Sequence, residues 1–446
     1  MALAACAVGP EYEKPPVETP AAYKEAGDWV KASPADAAPK GKWWEAFRDP
    51  VLDGLEEQVD VSNQSLRAAQ ARYSQAVAAV QSARAQFFPA LGASAQATRS
   101  RADQVDARRY NASLNASWEV DLWGRVRREV ELAGAGAQAS AADVQAARLS
   151  LQAELATDYF QLRATDAAIV LLGDSIKAFE TSYTLTRNRY RVGVAAKSDV
   201  AQAQTQLKST QAQAIDLRAS RAQLEHAIAV LVGQPPASFS IAPGAATAHI
   251  PAIPPGIPST LLERRPDIAA AERRMAQANA QVGVAEAAYF PSLQLTASGG
   301  FAGASLANLA TAPNRVWSLG LAAAATLIDF GARGAQVEGA RAAYDEAVAN
   351  YRQTVLQGFQ EVEDQLANLR WLADESAVQD EAARAARESV ALTLNQYKAG
   401  TVSFLGVVVV QAAQLSQDRA VVSLAGRRLA AAAALIRALG GSWEAP

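Results

Sequence analysis

Residues that could carry out chemistry are scarce in this sequence of 446 residues. It contains one cysteine, Cys6, and two histidines, His226 and His249. No His/Cys cluster of the kind that holds a metal is therefore expected. We find no phosphate-binding loop, dinucleotide-binding motif or nucleophile elbow. Paired carboxylates occur only inside helical patterns, where a solvated face is the better interpretation. We expect neither an enzyme nor a bound cofactor or metal.

The charge and hydropathy of the chain exclude other classes. The formal net charge is −3 and the sequence pI is near 5.7, which gives no indication of nucleic-acid binding. A single cysteine excludes an internal disulfide framework. No run of 18 apolar residues exists, so the sequence predicts no transmembrane helix.

Cys6 is the one residue whose setting suggests a modification. Residues 3–6 (LAAC) resemble the cleavage box of bacterial lipoproteins, in which the cysteine is acylated, for example with palmitate. A signal peptide also needs a charged and an apolar region, and neither precedes Cys6. We therefore expect the start of the sequence to be trimmed. A free thiol is the alternative.

Four stretches alternate between apolar and polar residues, which is typical of strands with one apolar and one polar face. In the clearest, 111–122, every even position is apolar and every odd position is polar. The others are about 90–101, 292–302 and 317–328. Each has about the length of a transmembrane strand, roughly 9–11 residues. Two soluble hairpins are the alternative interpretation.

These strands predict an oligomer. Four strands cannot close a barrel, and an open sheet edge is not tolerated in lipid. If the strands span a membrane, several chains must share one barrel. Three copies would supply about 12 strands, an even number as in bacterial barrels.

Helical patterns of unusual length accompany the strands. After a helix expected over about 51–87, one pattern runs from about 126 to 191, which would span roughly 100 Å. Such a helix needs support from other helices. In a second long pattern, about 331–397, apolar residues recur every seven residues from Val348 to Leu369. This repeat implies left-handed supercoiling, although an ordinary coiled coil would also show it.

The second half of the chain repeats the first. The segment FFP at 87–89 is echoed by YFP at 289–291, and Tyr190-x-x-Gly193 is echoed by Tyr397-x-x-Gly400. Each half reads helix, two strands, very long helix, turn and return helix. The return helices are expected over about 198–232 and 403–438.

The repeats give the expected domain organisation. An extended arm covers 1–50, with Trp43, Trp44 and Phe47 anchoring its end. The first repeat covers 51–233, a Pro-rich linker 234–258, the second repeat 259–441 and a short tail 442–446.

The order and spacing of these motifs resemble those of TolC-type outer-membrane factors, in the NodT/OprM lipoprotein branch. Residues 6–12 (CAVGPEY) resemble the lipidated start of that family, and 261–268 (LLERRPDI) its most recognisable motif. Residues 289–291 (YFP) and 438–443 (ALGGSW) fit as well. The resemblance covers essentially the whole chain.

This resemblance implies an α+β membrane channel. Each chain would contribute two transmembrane strands and long coiled-coil helices per tandem repeat. A homotrimer would then form a 12-stranded β-barrel in outer-membrane lipid and an α-helical barrel extending into the periplasm, with Cys6 as lipid anchor. The function implied is passive conduction of drugs or other small molecules in a tripartite efflux system. A periplasmic adaptor (membrane fusion protein) and an inner-membrane RND pump would be its partners.

The turns at Gly193 and Gly400, with Tyr190 and Tyr397 before them, are the expected periplasmic tips. The resemblance assigns adaptor docking and channel opening to these tips. Glycine in the turn would allow a partner helical hairpin to approach closely. Plain turns between helices are the alternative.

The aperture is expected just after the tips. Related channels often carry an Asp and a following Arg there, and here the matching positions hold Val409 and Ala412. We therefore expect an apolar constriction that closes by dewetting, with Leu405 and Val409 as candidates. Lys197 and Asp199 are the charged candidates at the first tip. Packing of the valine run between helices is the alternative.

The sequence is also compatible with two other functions. A related channel for type I protein secretion would share the same architecture, although the lipoprotein-like start favours efflux. A soluble periplasmic helical adaptor or scaffold would have no membrane-embedded strands.

Overall fold

The computed structural model describes residues 8–26, 41–102, 105–244, 248–251, 253, 258 and 264–441. The expected lipidation site Cys6 lies outside the described residues. So do residues 261–263 of the LLERRPDI motif and the tail from 442 onward.

The described helices and strands follow the same order in both halves of the chain. The first half contains α1 (Pro50–Ser62), α2 (Gln64–Ala85), β1 (Ala90–Ala102), β2 (Val105–Glu119), α3 (Arg125–Arg191) and α4 (Lys197–Leu231). The second half contains α5 (Pro266–Ala287), β3 (Ser292–Gly303), β4 (Arg315–Ala324), α6 (Ala332–Ala399) and α7 (Phe404–Ala438). Two strands followed by a very long helix and a return helix therefore recur, as the duplication predicts.

The helix expected over about 51–87 is in fact two helices. Asn63 has an extended backbone, and its side-chain oxygen accepts a hydrogen bond from the N–H of Leu66 (2.9 Å). Its side-chain nitrogen donates to the carbonyl of Leu231 (2.8 Å). Asn63 therefore caps the start of α2 and separates it from α1.

Two strands end earlier than the alternation predicted. β2 stops at Glu119 rather than 122, because the Asp121 carboxylate accepts hydrogen bonds from the N–H groups of Val126 and Arg127 (both 3.1 Å) and so caps α3. β4 stops at Ala324 rather than 328. There Asp329 accepts from the N–H groups of residues 331 and 333 at the start of α6 (both 3.1 Å).

The four strands form one antiparallel sheet in the order β1-β2-β3-β4. β2 begins at Val105 rather than about 111, because its pairing with β1 continues outward as far as Ala102↔Val105. The hairpin between β1 and β2 is therefore short. β1 and β4 are the two edges of the sheet.

The chain folds as two compact units. One comprises Met1–Glu18, Ala69–Val144 and Asp267–Val355, and includes the whole sheet. The other comprises Thr19–Ala68, Gln145–Pro266 and Leu356–Pro446. Each unit takes segments from both halves, so the compact units do not coincide with the two repeats (51–233 and 259–441). The physical reason is that strands of the two halves pair side by side, as β2 of the first half does with β3 of the second.

The aromatic end of the N-terminal arm packs into the core of the second unit. Trp43, Trp44 and Phe47 are buried, and the Phe47 ring lies 4.9 Å from that of Phe160 between centroids. The N–H of His249 donates to the carbonyl of Phe47 (2.9 Å). These three aromatic residues therefore anchor the end of the arm, as predicted.

The apolar side chains that recur every seven residues in α6 are mostly buried. Val355, Val362 and Leu369 are buried, and so is Leu366 beside them. This burial is what a supercoiled helix with one apolar seam requires. None of the described helices has the combination of length and apolar character needed to cross a membrane.

A buried ion network holds the start of the Pro-rich linker. The Asp166 carboxylate accepts hydrogen bonds from Arg221 Nε (2.6 Å), Arg163 Nη1 (3.4 Å) and the N–H of Gly244 (3.1 Å). Arg163 also donates to the carbonyl of Ala242 (2.8 Å). Since Asp166 is buried, removing it would leave two guanidinium groups without this counter-charge.

Glu56 is a second buried carboxyl, with a different environment. It lies on α1, is fully buried, and neither of its carboxyl oxygens has a hydrogen-bond partner among the described residues. Burial, followed by the charges of Asp60 and Asp53, raises the pKa of Glu56 well above its ordinary value.

The RRPD part of the 261–268 motif has a structural role. Arg265 is buried, and its Nη1 donates to Glu361 Oε2 (2.8 Å) and to the carbonyl of Ala438 (3.1 Å). Ala438 is the last residue of α7, where helix carbonyls lack partners within the helix. Arg265 therefore ties the start of α5 to the end of α7.

Candidate functional site

The sheet has one apolar face and one polar face. Leu91, Ala116, Ala297 and Leu319 are register partners in one row across the four strands. The adjacent row consists of Gly92, Asn115, Ser298 and Ser318. Because successive side chains point to opposite faces, the predicted apolar positions of all four strands meet on one side.

The apolar face is open along its length. Leu91, Trp317 and Leu319 are 72, 75 and 77% exposed, and Leu114 and Leu321 are also exposed. A contiguous apolar surface of this kind marks contact with a membrane or another protein. The edges at β1 and β4 have no strand partner within the described chain.

The polar face carries a ladder of hydrogen bonds. Ser94 Oγ lies 3.1 Å from Ser113 Oγ and accepts from Asn115 Nδ2 (3.0 Å). On the same face, between β3 and β4, Ser298 Oγ lies 2.9 Å from Ser318 Oγ. The hydroxyl and amide groups in this arrangement can form additional hydrogen bonds with water, which suits the wall of an aqueous passage.

Exposed aromatic residues gather where the strands meet the helices. Phe88, Tyr289 and Phe330 are exposed, and Trp123 stacks on Phe290 with ring centroids 4.9 Å apart. Aromatic residues of this kind flank the apolar band of membrane barrels.

The start of the described chain lies at this aromatic end of the sheet. The N–H of Val8 donates to the carbonyl of Trp123 (3.0 Å). Arg128 Nη2 donates to the carbonyl of Gly9 (3.1 Å). The sequence contains no local signal for these contacts, because the partners are more than a hundred residues apart.

The two tips share one backbone geometry. Gly193 and Gly400 have φ of 78° and 82°, in the left-handed region that favours glycine. Gly193 N–H donates to the carbonyl of Tyr190 (3.0 Å), and Gly400 N–H to that of Tyr397 (3.0 Å). The N–H of the residue after each glycine also donates a hydrogen bond. Val194 donates to the carbonyl of Arg189 (2.8 Å), and Thr401 donates to that of Gln396 (3.0 Å). Both tips are therefore Schellman-type helix ends.

The two tip tyrosines differ in their surroundings. Tyr190 is 44% exposed, whereas Tyr397 is 5% exposed. The Tyr397 ring packs edge-on against Phe404 at 5.4 Å. The Arg189 guanidinium lies 4.6 Å from the Tyr397 ring centroid, and its Nη1 donates to the Tyr397 carbonyl (2.8 Å). Thr186 Oγ1 lies 3.3 Å from the Tyr397 hydroxyl.

Arg189 therefore connects the first tip to the second, and sequence reasoning missed it. Arg189 lies in the last turn of α3 in one repeat, and Tyr397 lies in the last turn of α6 in the other. A basic residue in the last turn of a helix was visible, but its partner more than 200 residues away was not. We call the contact between Arg189 and Tyr397 the tip clasp.

The aperture candidates Leu405 and Val409 lie on one exposed line of α7. They are 53 and 59% exposed and four residues apart, on the same side of the helix. Phe404 and Val407 are buried in a cluster with Tyr397. The valines of this run therefore differ in their burial. Val407 packs between helices, whereas Val409 is exposed on the surface of the chain.

The charged candidates at the first tip have unequal settings. Lys197 is exposed at the first turn of α4. Asp199 is half-buried, and its Oδ2 accepts a hydrogen bond from the N–H of Ala196 (3.2 Å). This capping contact stabilises the start of α4, and it explains the presence of Asp199 without a role in the aperture.

A groove of about 440 Å³ lies near the tips in the second unit. It lies between helices of both repeats and is lined by Phe179, Ser182, Leu394, Gln411 and Leu415, among others. Gln411 Nε2 donates to Ser182 Oγ (3.3 Å) across it. Among the residues that the structure describes, no group of three or more His, Cys, Asp or Glu could hold a metal ion.

Comparisons with known proteins agree with this architecture. Residues 55–234 and 257–441 match the family model described as "Outer membrane efflux protein". The chain is 29% identical to the probable efflux pump outer membrane protein TtgC of Pseudomonas putida, over 99% of this chain and 93% of that protein.

Solved structures are similar over nearly the whole chain. The outer-membrane channel OprN superposes with a TM-score of 0.91 at 32% identity, covering 98% of this chain and all of that one. The outer membrane channel MtrE of Neisseria gonorrhoeae, solved in its open state, has a TM-score of 0.87 at 30% identity and covers 98% of both chains.

Proposed function

This chain belongs to the outer membrane efflux protein family, and from that premise we propose that three copies of it form the outer-membrane channel of a tripartite efflux system. The channel conducts small molecules passively and catalyses no reaction. The observation that carries this proposal is the sheet with one exposed apolar face, one hydrogen-bonded polar face and two unpaired edges.

Trimer formation resolves the problem of the sheet edges. An unpaired edge exposes N–H and C=O groups, which cannot be left unsatisfied in lipid. Pairing β4 of one copy with β1 of the next closes a barrel of about 12 strands from three copies. The apolar face then contacts lipid and the polar face lines the water-filled lumen.

The tips are the docking sites for a periplasmic adaptor, which connects the channel to an inner-membrane RND pump. Gly193 and Gly400 support this, because an added Cβ would meet no atom within 4 Å at either position. The turns are therefore open to a partner. The nearby groove offers both apolar and amide groups to a helical hairpin.

Leu405 and Val409 form the resting aperture, with Lys197 and Asp199 as nearby charges. Three copies bring three exposed Val409 side chains to the axis, and a narrow apolar ring excludes water and ions. That MtrE was solved in an open state supports a channel whose aperture changes.

Cys6 is the lipid anchor. The contact between Val8 and Trp123 supports this proposal, because it holds a residue two positions from Cys6 beside the aromatic rim of the sheet. Replacing Cys6 with serine should abolish incorporation of labelled palmitate and leave the trimer intact. Full incorporation in the serine variant would contradict the assignment.

The mass of the detergent-extracted particle tests the channel itself. After fractionation of the bacterial envelope, a particle near three times 46.9 kDa plus detergent should come from the outer membrane. A monomer released without detergent would refute the shared barrel and favour a soluble periplasmic scaffold.

Val409→Asp tests the aperture. A ring of carboxylates should hydrate the constriction and raise the resting conductance of the reconstituted trimer. Val378→Asp is the matched control, since Val378 is an exposed valine on α6 away from the tips. If Val409→Asp left conductance and drug resistance unchanged, Val409 would have no gating role.

A further inference from the structure

The apolar face of the sheet ends in arginines at the hairpin between β1 and β2. Beyond Ala97, the same face of β1 carries Arg99 and Arg101, because residues alternate in their direction. On β2, Arg108 is the register partner of Arg99, and Tyr110 is the partner of Ala97. Tyr110 is therefore the last aromatic residue on this face before the arginines.

These arginines form an excess of positive charge. Arg99 and Arg108 are directly opposite each other, and like charges in a cross-strand pair destabilise a hairpin. Asp106 lies on the same face, 2.7 Å from Arg99 Nη2 and 3.9 Å from Arg101 Nε. Segment 99–109 contains four arginines and two aspartates, and this net positive charge favours the binding of an anion.

The position of the cluster distinguishes it from an ordinary solvated charge run. Arg109, the immediate neighbour of Arg108, pairs with Thr98 and falls on the polar face. At about 3.4 Å per residue, the stretch of β2 from Tyr110 to Trp118 spans roughly 27 Å along the strand. At a strand tilt of about 40°, this stretch rises roughly 21 Å across the membrane, close to the apolar band of a barrel, which is about 25 Å tall. The arginines begin where that band ends.

The hairpin lies at the end of β2 opposite to the start of α3. β2 leads into α3 at its other end, where the exposed aromatic residues and Val8 also lie. In the proposed channel, the hairpin therefore reaches the outer surface of the membrane. Arginine side chains can extend their charged ends to that surface while their stems cover apolar area.

We propose that Arg99, Arg101 and Arg108 bind the phosphate groups of an anionic lipid at the outer surface of the membrane. The planar guanidinium group matches phosphate oxygens in bidentate geometry. The acyl chains of the same lipid lie against the apolar face that begins at Tyr110 and Ala97. The site rests on the proposed function, since it requires the sheet to span the membrane.

The test uses the full-length trimer in vesicles of neutral phospholipid that contain a bis-phosphorylated glycolipid. After detergent extraction, native mass spectrometry counts the glycolipid molecules retained per trimer. The double variant R99Q/R108Q should retain roughly tenfold less, because two exposed charge pairs are lost and each contributes about threefold to affinity. This variant loses the exposed Arg99–Asp106 ion pair but also removes a like-charge pair, and both changes affect the stability of the hairpin only slightly.

R109Q is the control on the opposite face of the same hairpin, where it removes one positive charge and the double variant removes two. It should retain as much glycolipid as the wild type. Equal loss in R109Q and R99Q/R108Q would overturn the proposed site in favour of general charge attraction.

Two further arms identify the chemistry of the ligand. Equal retention of the dephosphorylated glycolipid would overturn the role of phosphate. Displacement by free inorganic phosphate would overturn the role of the lipid. Failure of the wild type to form a membrane trimer would refute the proposed function and this site with it. A trimer that retains no phosphorylated glycolipid would refute this site alone.

Discussion

Replacing Arg189 with alanine should loosen the closed state of the tips. The Arg189 guanidinium donates to the Tyr397 carbonyl at 2.8 Å and lies 4.6 Å from the Tyr397 ring centroid. Alanine removes both contacts and leaves the helical backbone of α3 intact. Since the clasp joins the two repeats, its loss favours any state in which the tips separate.

The magnitude follows from these two contacts. A hydrogen bond to a charged group contributes about 1.5–3 kcal/mol, and a cation–π contact at a partly exposed site about 0.5–1 kcal/mol. The Tyr397 carbonyl also accepts the N–H of Gly400, so it keeps one partner in the variant. We therefore expect the lower end, about 2 kcal/mol, which raises the open-to-closed ratio roughly 30-fold.

Conductance in planar bilayers is the assay. Arg189→Ala should open more often at rest than the wild type, and Arg189→Lys should be intermediate, because lysine can still donate to the carbonyl but lacks the planar group. Arg191→Ala is the matched control, since Arg191 is an exposed arginine in the same last turn of α3.

The reasoning is refuted if Arg189→Ala conducts like Arg191→Ala while its melting temperature falls. In that case the clasp would stabilise the fold, and the two tips would move as one body during opening.

Three further predictions concern stability. Because the pKa of Glu56 is raised in the folded state, the wild type should lose stability as pH rises above about 4.3 toward that pKa. Glu56→Gln should weaken the dependence of stability on pH. If the melting temperature of this variant changed with pH as steeply as that of the wild type, Glu56 would not be the cause. Asp166→Ala should lower the free energy of unfolding by about 3–5 kcal/mol, whereas the exposed control Asp174→Ala should change it by less than about 1 kcal/mol; denaturant titration distinguishes the two. Gly193→Ala and Gly400→Ala should each cost about 1–2 kcal/mol through positive φ alone, measured in the same way, and a neutral result would show that the turns relax.

Much of the sheet could be predicted from the sequence, because strand alternation is a local property. Each residue of a strand points opposite to its neighbour, so the apolar set of 111–122 had to share one face once a strand formed. The row Leu91, Ala116, Ala297 and Leu319 confirms this. The ends of the strands were predicted less well. Asp121 fits the alternation as a polar residue, yet its carboxylate caps α3.

The candidate site was predicted only in part. Glycine after a long helical run indicates a helix end, and both tips have that geometry. The sequence predicted the same role for Tyr190 and Tyr397, but their environments differ. Tyr190 is exposed, whereas Tyr397 is buried against Phe404. That difference comes from packing between repeats, which no local pattern records.

The sequence by itself determined which residues share a strand face, where the long helices turn and that the chain is duplicated. These properties depend on residues close together in the chain, whose relative directions are set by backbone geometry. Only the tertiary structure decided that Arg189 meets Tyr397, that Asp166 holds the linker and that Arg99 faces Arg108 at the end of the apolar face. These contacts join residues through folding of the chain in three dimensions, and their partners are set by packing and register rather than by spacing.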